Sequence, residues 1–457
     1  MSKLKSSEIN AYAFYSFASS LAFAIPMSYL TIFMTENLLY SAALMGTTLL
    51  IARAIDFVIG LIAGSVVSKT NFKWGKYRSW LIILRFVVFF GIVIQFIDTS
   101  KLPTYTKMIV TILGYGMLHF SMNFIQTAQY GVLSAMAGSD MEDRDKLSIR
   151  GTQWMAAGNI LVSAITLPFI QAITPYVGSS NAYTIAATLF GLVLVVGNMM
   201  LSKAAAPYDI PQPKDTATNV VSTKISDLVK SVATNSQLLV YITASSLFNI
   251  GLMTFNGILA YYFMYVLGNF LLMSLAMTIT TAFGLVASII GPKIGRKLGK
   301  KNAMVYGLLI YAAGNLCISF FAKGSLVVYI IFSCISAVAM YFFQAFGPLY
   351  VLDAGEYGFY KTGKDYRAMA TGLFTMPFKI GFALGGAVSG YGLAIIGYTA
   401  GMTPTPQFVD KFMLLLGGIP AAFYVVAAVL MIVGYKITDE DAAKYAAANI
   451  ERLAKTS

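Results

Sequence analysis

The feature that most constrains this chain is a succession of long apolar windows. Twelve stretches of about 20 mainly apolar residues recur along it, from 12–35 and 41–67 through 79–97, 108–137, 151–175 and 368–398 to 412–435. A helix of that length matches the hydrocarbon core of a bilayer, where main-chain polar groups must be satisfied within the segment itself. Composition agrees: 58% of the 457 residues are hydrophobic and 11% charged, against roughly a quarter charged in an ordinary soluble domain. The opening MSKLKSSEIN is short and polar, and the apolar run after it lacks a small-residue cleavage site. It reads as a retained first span rather than a signal peptide. The expected fold is an all-α membrane protein of twelve transmembrane helices in two six-helix bundles.

A net charge of +13 raises the question of nucleic acid, and the positions of the charges answer it. With the N-terminus inside, the outer loops hold only Lys101, Lys107, Lys323 and Lys411, while Arg53, Arg85 and Lys379 fall within spans. All other lysines and arginines lie on inner segments. This asymmetry places both termini in the cytoplasm, and topology rather than nucleic acid accounts for the basic excess. Cys317 and Cys334 sit in apolar runs without metal-ligand spacing, which argues against a disulfide framework or a zinc site. No GxxxxGK[ST] loop occurs, so direct ATP coupling is not supported.

The longest inner connection divides the chain. Residues 1–203 are expected to form the first bundle, 204–237 a central cytoplasmic loop, 238–436 the second bundle and 437–457 a cytoplasmic tail. The loop contains PYDIPQPK and then TKISDLVKSV, in which Ile225, Leu228, Val229 and Val232 follow helical spacing. KWGKYR after span 2 resembles KLGKKN after span 8, with Gly75 and Gly299 at matching places, which suggests a duplicated half. In span 11, Gly381 and Gly385, and again Gly386 and Gly390, would permit close helix approach. Pro26, Pro168 and Pro377 are expected to interrupt spans 1, 5 and 11. Thr438 followed by Asp441 resembles a capping box at the start of a short tail helix.

Few charges lie inside the spans. Among the acidic residues only Asp56 lies deep within one, three residues after Arg53 in LIARAIDFVIG. Each such charge is unfavourable by about 2.5–3.5 kcal/mol on insertion scales. The two share a helix face, so a self-neutralising ion pair is one reading and a functional charge the other. Lys379 in TMPFKIGF has no acidic neighbour within its span, about eleven residues in, and needs a partner from another helix, from water or from an anionic ligand. Arg150, at the inner start of span 5, occupies a place where a cation is commonplace. His119 is the single histidine, which excludes a multi-histidine metal site; it reads as a satisfied polar group in span 4 rather than a proton relay.

Taken in order, ARAIDFVIGLIAG, KWGKYRSWL, DRDKLSIR, VLDAGEYGFYKTG and TMPFK resemble the glycoside-pentoside-hexuronide:cation symporter family. This is the group of melibiose and glucuronide permeases within the major facilitator superfamily, and the similarity runs along nearly the whole chain. The resemblance implies a major facilitator fold and roles for particular residues. Asp56 corresponds to the first of two span 2 aspartates, Arg150 to a sugar-contacting arginine, and Lys379 to a lysine near ligand and cation sites, with Thr375 on the same segment. The departures are as telling. The second aspartate falls on Gly60 and a nearby asparagine on Ile59, which removes oxygen ligands that sodium prefers; Asn123 offers one oxygen at most. The span 1 aspartate that contacts galactosides falls on Ser20, and its span 4 counterpart near Gln126.

The expectation is therefore a secondary active transporter of a small glycoside or sugar acid, not an enzyme, alternating access through two rocking halves. Asp56, Arg53 and Lys379 would form the coupling charge network, with Lys379 partnering Asp56 across the halves. Arg150, Lys379, Thr375, Tyr130, Gln126, Ser20 and Trp154 would meet substrate. Tyr130, Trp154, Phe343 and Phe378 could stack on a sugar face, although packing or lipid contact would explain any one of them. No cofactor or metal is expected; the coupling ion would be a proton rather than sodium. Expected partners are the substrate and the lipid bilayer of the cell membrane, with no nucleic acid and no obligate protein. The alternatives are a sodium-independent sugar uniporter or exchanger and a non-transporting membrane sensor on the same scaffold.

Overall fold

A computed structural model describes residues 4–70, 72–138, 140–211, 234–363, 365, 367, 370 and 373–456. The amphipathic stretch with Ile225, Leu228, Val229 and Val232 lies outside the described residues. The chain divides into two compact units. One is Met1–Val221 with Phe270–Thr281 and Thr399–Met402; the other is Ser222–Asn269 with Ala282–Tyr398 and Thr403–Ser457.

The long helices of the first half are α1 (Ser6–Ile32), α2 (Ala42–Lys69), α3 (Arg78–Ile94), α4 (Thr104–Ala137), α5 (Met141–Val177) and α6 (Ser179–Ala204). Within the first unit α1 packs on α5 and α6, α3 on α4 and α6, and α2 on α4. The later helices are α7 (Ser236–Tyr261), α8 (Leu272–Leu298), α9 (Lys300–Phe321), α10 (Leu326–Gln344), α11 (Gly347–Thr362), α12 (Met376–Ile395), α13 (Pro406–Met413), α14 (Ile419–Gly434) and α15 (Asp439–Thr456). Within the second unit α7 packs on α12 and α14, and α9 on α10 and α14. Buried aromatic rings of Tyr241, Phe248, Phe343, Tyr350 and Tyr424 contribute to its core.

Among the described residues eleven helical stretches are long and apolar enough to cross a membrane. The twelfth, α3, has 17 residues. At 1.5 Å per residue it is about 26 Å long, the short end of what a hydrocarbon core requires. Span 10 consists of two helices, α10 and α11, with Pro348 in the first turn of α11. The VLDAGEYGFYKTG segment is helical almost throughout and ends where Gly363 adopts a left-handed φ of +71°, a backbone that favours glycine at a helix C-terminus.

The sequence leads one to expect interruptions of spans 1 and 5 at Pro26 and Pro168, yet α1 and α5 run through them unbroken, and Pro175 and Pro292 likewise lie inside α5 and α8. Pro377 is a correction: it occupies the first turn of α12 and interrupts nothing. A proline is well placed there because the N–H it lacks would have no partner within the helix. Of the span 11 glycines, Gly381 and Gly385 show the expected close approach. A Cβ on Gly381 would stand 2.3 Å from Asn249 Cβ, and one on Gly385 would stand 2.5 Å from Met253 Cβ, both on α7.

The expected tail helix forms as α15. Thr438 N and Oγ1 donate to Asp441 Oδ2 at 3.1 and 2.8 Å, and Asp441 N donates back to Thr438 Oγ1 at 3.1 Å. These bonds hold the Asp441 carboxyl below its ordinary value. The helix docks on α11, where Asn449 Nδ2 donates to Glu356 Oε2 at 2.6 Å and Arg452 Nη1 to the Phe359 carbonyl at 3.1 Å.

Candidate functional site

The polar interior of the first unit is built where α2 meets α4. Arg53 and Asp56 are three apart on α2 and share a face, while Tyr115, His119 and Asn123 recur every four residues on α4 and form the facing stripe. Asn123 Nδ2 donates to Asp56 Oδ1 at 2.6 Å and also to the His119 carbonyl at 2.9 Å. His119 Nδ1 lies 3.8 Å from Asp56 Oδ2. Arg53 Nε donates to the Tyr115 hydroxyl at 3.0 Å, and the Tyr115 ring stacks on His119 with centroids 4.0 Å apart. Arg53 and Asp56 thus each engage a side chain of α4, and both take part in a cross-helix network.

The network is not sealed. The side chains of Asp56 and His119 keep 15% and 20% of their accessible surface. Further along the α4 stripe Gln126 and Tyr130 are exposed, Tyr130 at 66%. On α5, Arg150 is exposed and reaches Gln153 Oε1 at 3.5 Å, the outer limit of a hydrogen bond. Trp154, one turn on, packs edge-on against Phe17 of α1 with centroids 6.0 Å apart and remains part-exposed. Ser20 donates to the Phe17 carbonyl at 2.8 Å. Its hydroxyl stands against Gly158, where a Cβ would come within 2.2 Å of it. Of the expected substrate residues in this unit, Arg150, Trp154, Gln126 and Tyr130 present open side chains; Ser20 turns its proton to its own helix.

Lys379 and Thr375 belong to the second unit. Thr375 is exposed and is the N-cap of α12, without a side-chain capping bond. Lys379 stands in the first turn of that helix, not eleven residues inside a continuous one, and Phe378 beside it is part-exposed. The correction follows from Pro377, which fixes where the helix starts. The first-turn N–H groups have no intrahelical acceptor, so this end carries partial positive charge alongside the ammonium.

Two polar features escaped the sequence reading. One is the set of partners of Asp56, for which the four-residue spacing of Tyr115, His119 and Asn123 was the available signal. The other is Asp209 in PYDIPQPK. Its buried carboxylate accepts from the main-chain N–H groups of Lys76, Tyr77 and Arg78 at 3.1, 2.7 and 2.6 Å, and so caps α3 and anchors the KWGKYR loop.

A family model described as MFS/sugar transport protein matches residues 11–439. The isoprimeverose transporter of Lactiplantibacillus pentosus is 24% identical over 441 residues, covering 94% of this chain and 88% of that protein. The glucuronide carrier protein homolog of Escherichia coli (strain K12) is 25% identical over 440 residues, covering 94% and 93%. Among solved structures, a bacterial homolog of the human lysosomal transporter Spinster superposes with a TM-score of 0.69 at 12% identity, covering 94% of this chain and 96% of that one. The nucleoside transporter NupG gives 0.64 at 16%, covering 94% and 98%; at these identities the likeness speaks for the fold alone. The helical architecture, the ordered motifs and the match along the chain lead to one assignment: the chain belongs to the MFS/sugar transport protein family, in the glycoside-pentoside-hexuronide branch to which its motifs point, and is a membrane transporter rather than an enzyme.

Proposed function

We propose that the chain is a proton-coupled secondary carrier of a small glycoside or sugar acid, working by alternating access in the cytoplasmic membrane with both termini on the cytoplasmic side. The observation that carries this reading is Asp56, a carboxylate deep within a span, held by Asn123 and facing His119 while it remains part-exposed. An intramembrane carboxylate in that setting is more than packing. Protonation would remove its charge during the crossing.

A proton is favoured over sodium because the sodium ligands are missing. Gly60 and Ile59 have no side-chain oxygen, and Asn123 turns its amide nitrogen, a donor, toward Asp56. Sodium at Asp56 would need oxygen in that place.

An acidic substrate is favoured by the surviving cations. An arginine binds a carboxylate through two parallel hydrogen bonds, and Arg150 is open for that role. Lys379 adds a point charge at the positive end of α12. Relatives named as isoprimeverose, lactose, raffinose and glucuronide carriers frame the substrate class. The test is uptake by proteoliposomes of methyl β-D-glucuronide, isoprimeverose, lactose and raffinose. The glucuronide is then compared with methyl β-D-glucoside as a competitor in wild type and Arg150→Gln. The reading expects the glucuronide to compete better and to lose that advantage in the variant. Preference for the neutral glucoside, unchanged by the substitution, would refute an anionic substrate.

A further inference from the structure

We propose that the coupling proton is held jointly by Asp56 and His119, so that the single histidine of the chain is part of the coupling site. This rests on the carrier reading and goes further by naming a second residue that takes the proton. The geometry supplies the argument. Asp56 Oδ1 is occupied by the Asn123 amide, which leaves Oδ2 as the oxygen facing His119 Nδ1 at 3.8 Å. That separation is too long for a direct hydrogen bond. It is short enough for opposite charges to favour each other strongly, and a water molecule or a small side-chain motion would close it. The imidazole and its backbone each have a partner. Its face lies on the Tyr115 ring, and its own carbonyl is tied to the same Asn123 amide that binds Asp56.

The surrounding charges give protonation a consequence. Charged and titratable groups at the pair include Arg53 on α2 and Tyr115 on α4, joined by the Arg53 Nε bond to the tyrosine hydroxyl. With His119 neutral, Arg53 and Asp56 cancel. One proton taken from water onto the pair leaves the cluster with one net positive charge, whichever atom carries it, and returning the proton to water restores neutrality. No other bond is made or broken. A substrate carboxylate is therefore attracted when the proton is aboard and released more readily when it leaves. Proton and anion would cross together as a neutral load.

A histidine that merely fills a polar gap would not produce that link, and the experiment separates the two. Wild type, His119→Gln and His119→Asn are reconstituted in sodium-free proteoliposomes containing a trapped pH-sensitive dye, and methyl β-D-glucuronide is the probe. Wild type should move protons with the glucuronide and accumulate it under an acid-outside gradient. The variants should lose both while keeping counterflow exchange, and the pH dependence of wild-type exchange should flatten in them. Because the chain has one histidine, diethyl pyrocarbonate on folded wild type gives a second measurement that does not depend on the variants folding. It should abolish accumulation in wild type, and hydroxylamine should restore it. Variants that keep gradient-driven accumulation, or wild-type accumulation that survives carbethoxylation of His119, would overturn the proposal and leave the carrier reading intact. Glucuronide uptake without proton movement in wild type would overturn it as well, and with it the proton coupling of the proposed function, leaving a sugar carrier of another coupling mode. Failure of wild type to carry any of the four sugars would sink the carrier reading and this inference with it.

Discussion

The two halves of the chain repeat the same backbone with different side chains, and they diverge most where charge lies within the spans. After span 1 the helix widens to i→i+5 bonding over Phe33–Asn37, and Leu38 N and Tyr40 N bond the carbonyls of Phe33 and Met34. After span 7 it does so over Tyr262–Val266, where Leu267 N and Asn269 N bond the carbonyls of Tyr262 and Phe263. One constant offset relates all four pairs. The same offset relates Leu39 to Gly268, which share a left-handed backbone with φ of +57° and +66°. The matching turns at Gly75 and Gly299 both have positive φ, and each is met by an aspartate from beyond the last span of its half, Asp209 or Asp439. The polar interior shows no such repetition. In α8, which follows the duplicated order as the counterpart of α2, the only charges are Lys293, Arg296 and Lys297 near its end; in span 10, the counterpart of α4, α10 has no charge, and the carboxylates of α11, Asp353 and Glu356, pair with Lys300 and Arg367. The backbone turns repeat, whereas a carboxylate set against a histidine and an asparagine of the neighbouring span is found at Asp56 in the first half.

That comparison is sharpest at Asp56. Asp56→Asn should lose concentrative uptake outright while counterflow exchange persists, because the amide cannot carry the proton and still accepts from Asn123. The comparison substitution in α8 is Thr280→Ala, which removes a hydroxyl that bonds its own helix at the Ala276 carbonyl. It should leave accumulation close to wild type. Accumulation by Asp56→Asn equal to wild type, measured in proteoliposomes under a pH gradient, would make Asp56 structural.

The two loop anchors predict a smaller and purely structural effect. Asp209 is buried and satisfies three main-chain N–H groups, so Asp209→Ala should cost about 3 kcal/mol of stability. Asp439 is half exposed and contributes one long bond to Lys300 N at 3.4 Å and an ion pair with the Lys300 ammonium at 3.4 Å. Asp439→Ala should cost under about 1 kcal/mol. Thermal aggregation of the purified proteins in detergent reads both. Equal shifts would mean that the anchors are interchangeable and that the asymmetry seen here has no energetic weight.

The smallest effect concerns Leu39 and Gly268. A Cβ on Gly268 would meet nothing within 4 Å, so Gly268→Ala reports backbone strain alone and should cost about 1 kcal/mol. Leu39 already bears that strain and is 64% exposed. Leu39→Gly should stabilise the protein by about 0.5 kcal/mol, since relief of strain exceeds the entropy cost of glycine only modestly. A destabilised Leu39→Gly would show that the leucine side chain holds the turn through contacts.

Much of this architecture was legible in the sequence, because lipid leaves few solutions: span length, the order of the motifs, the glycine turns and the Thr438–Asp441 cap all act locally. The missed features depend on distant partners. Nothing near Asp209 announces that it caps a helix starting at Arg78, and local spacing pointed to Arg53 as the neighbour of Asp56, while Asn123 and His119 reach it from another helix. Pro377 misled in the other direction. An apolar run continuous in composition hid a helix start, and with it the place of Lys379.

The central claim is that a proton, handled at Asp56, couples this carrier. The direct measurement is methyl β-D-glucuronide uptake into proteoliposomes in choline buffer without sodium, with and without an acid-outside pH gradient. The account predicts accumulation above equilibration with the gradient, equilibration alone without it, and no increase when sodium is added. A saturable requirement for sodium, with no response to the pH gradient, would contradict it.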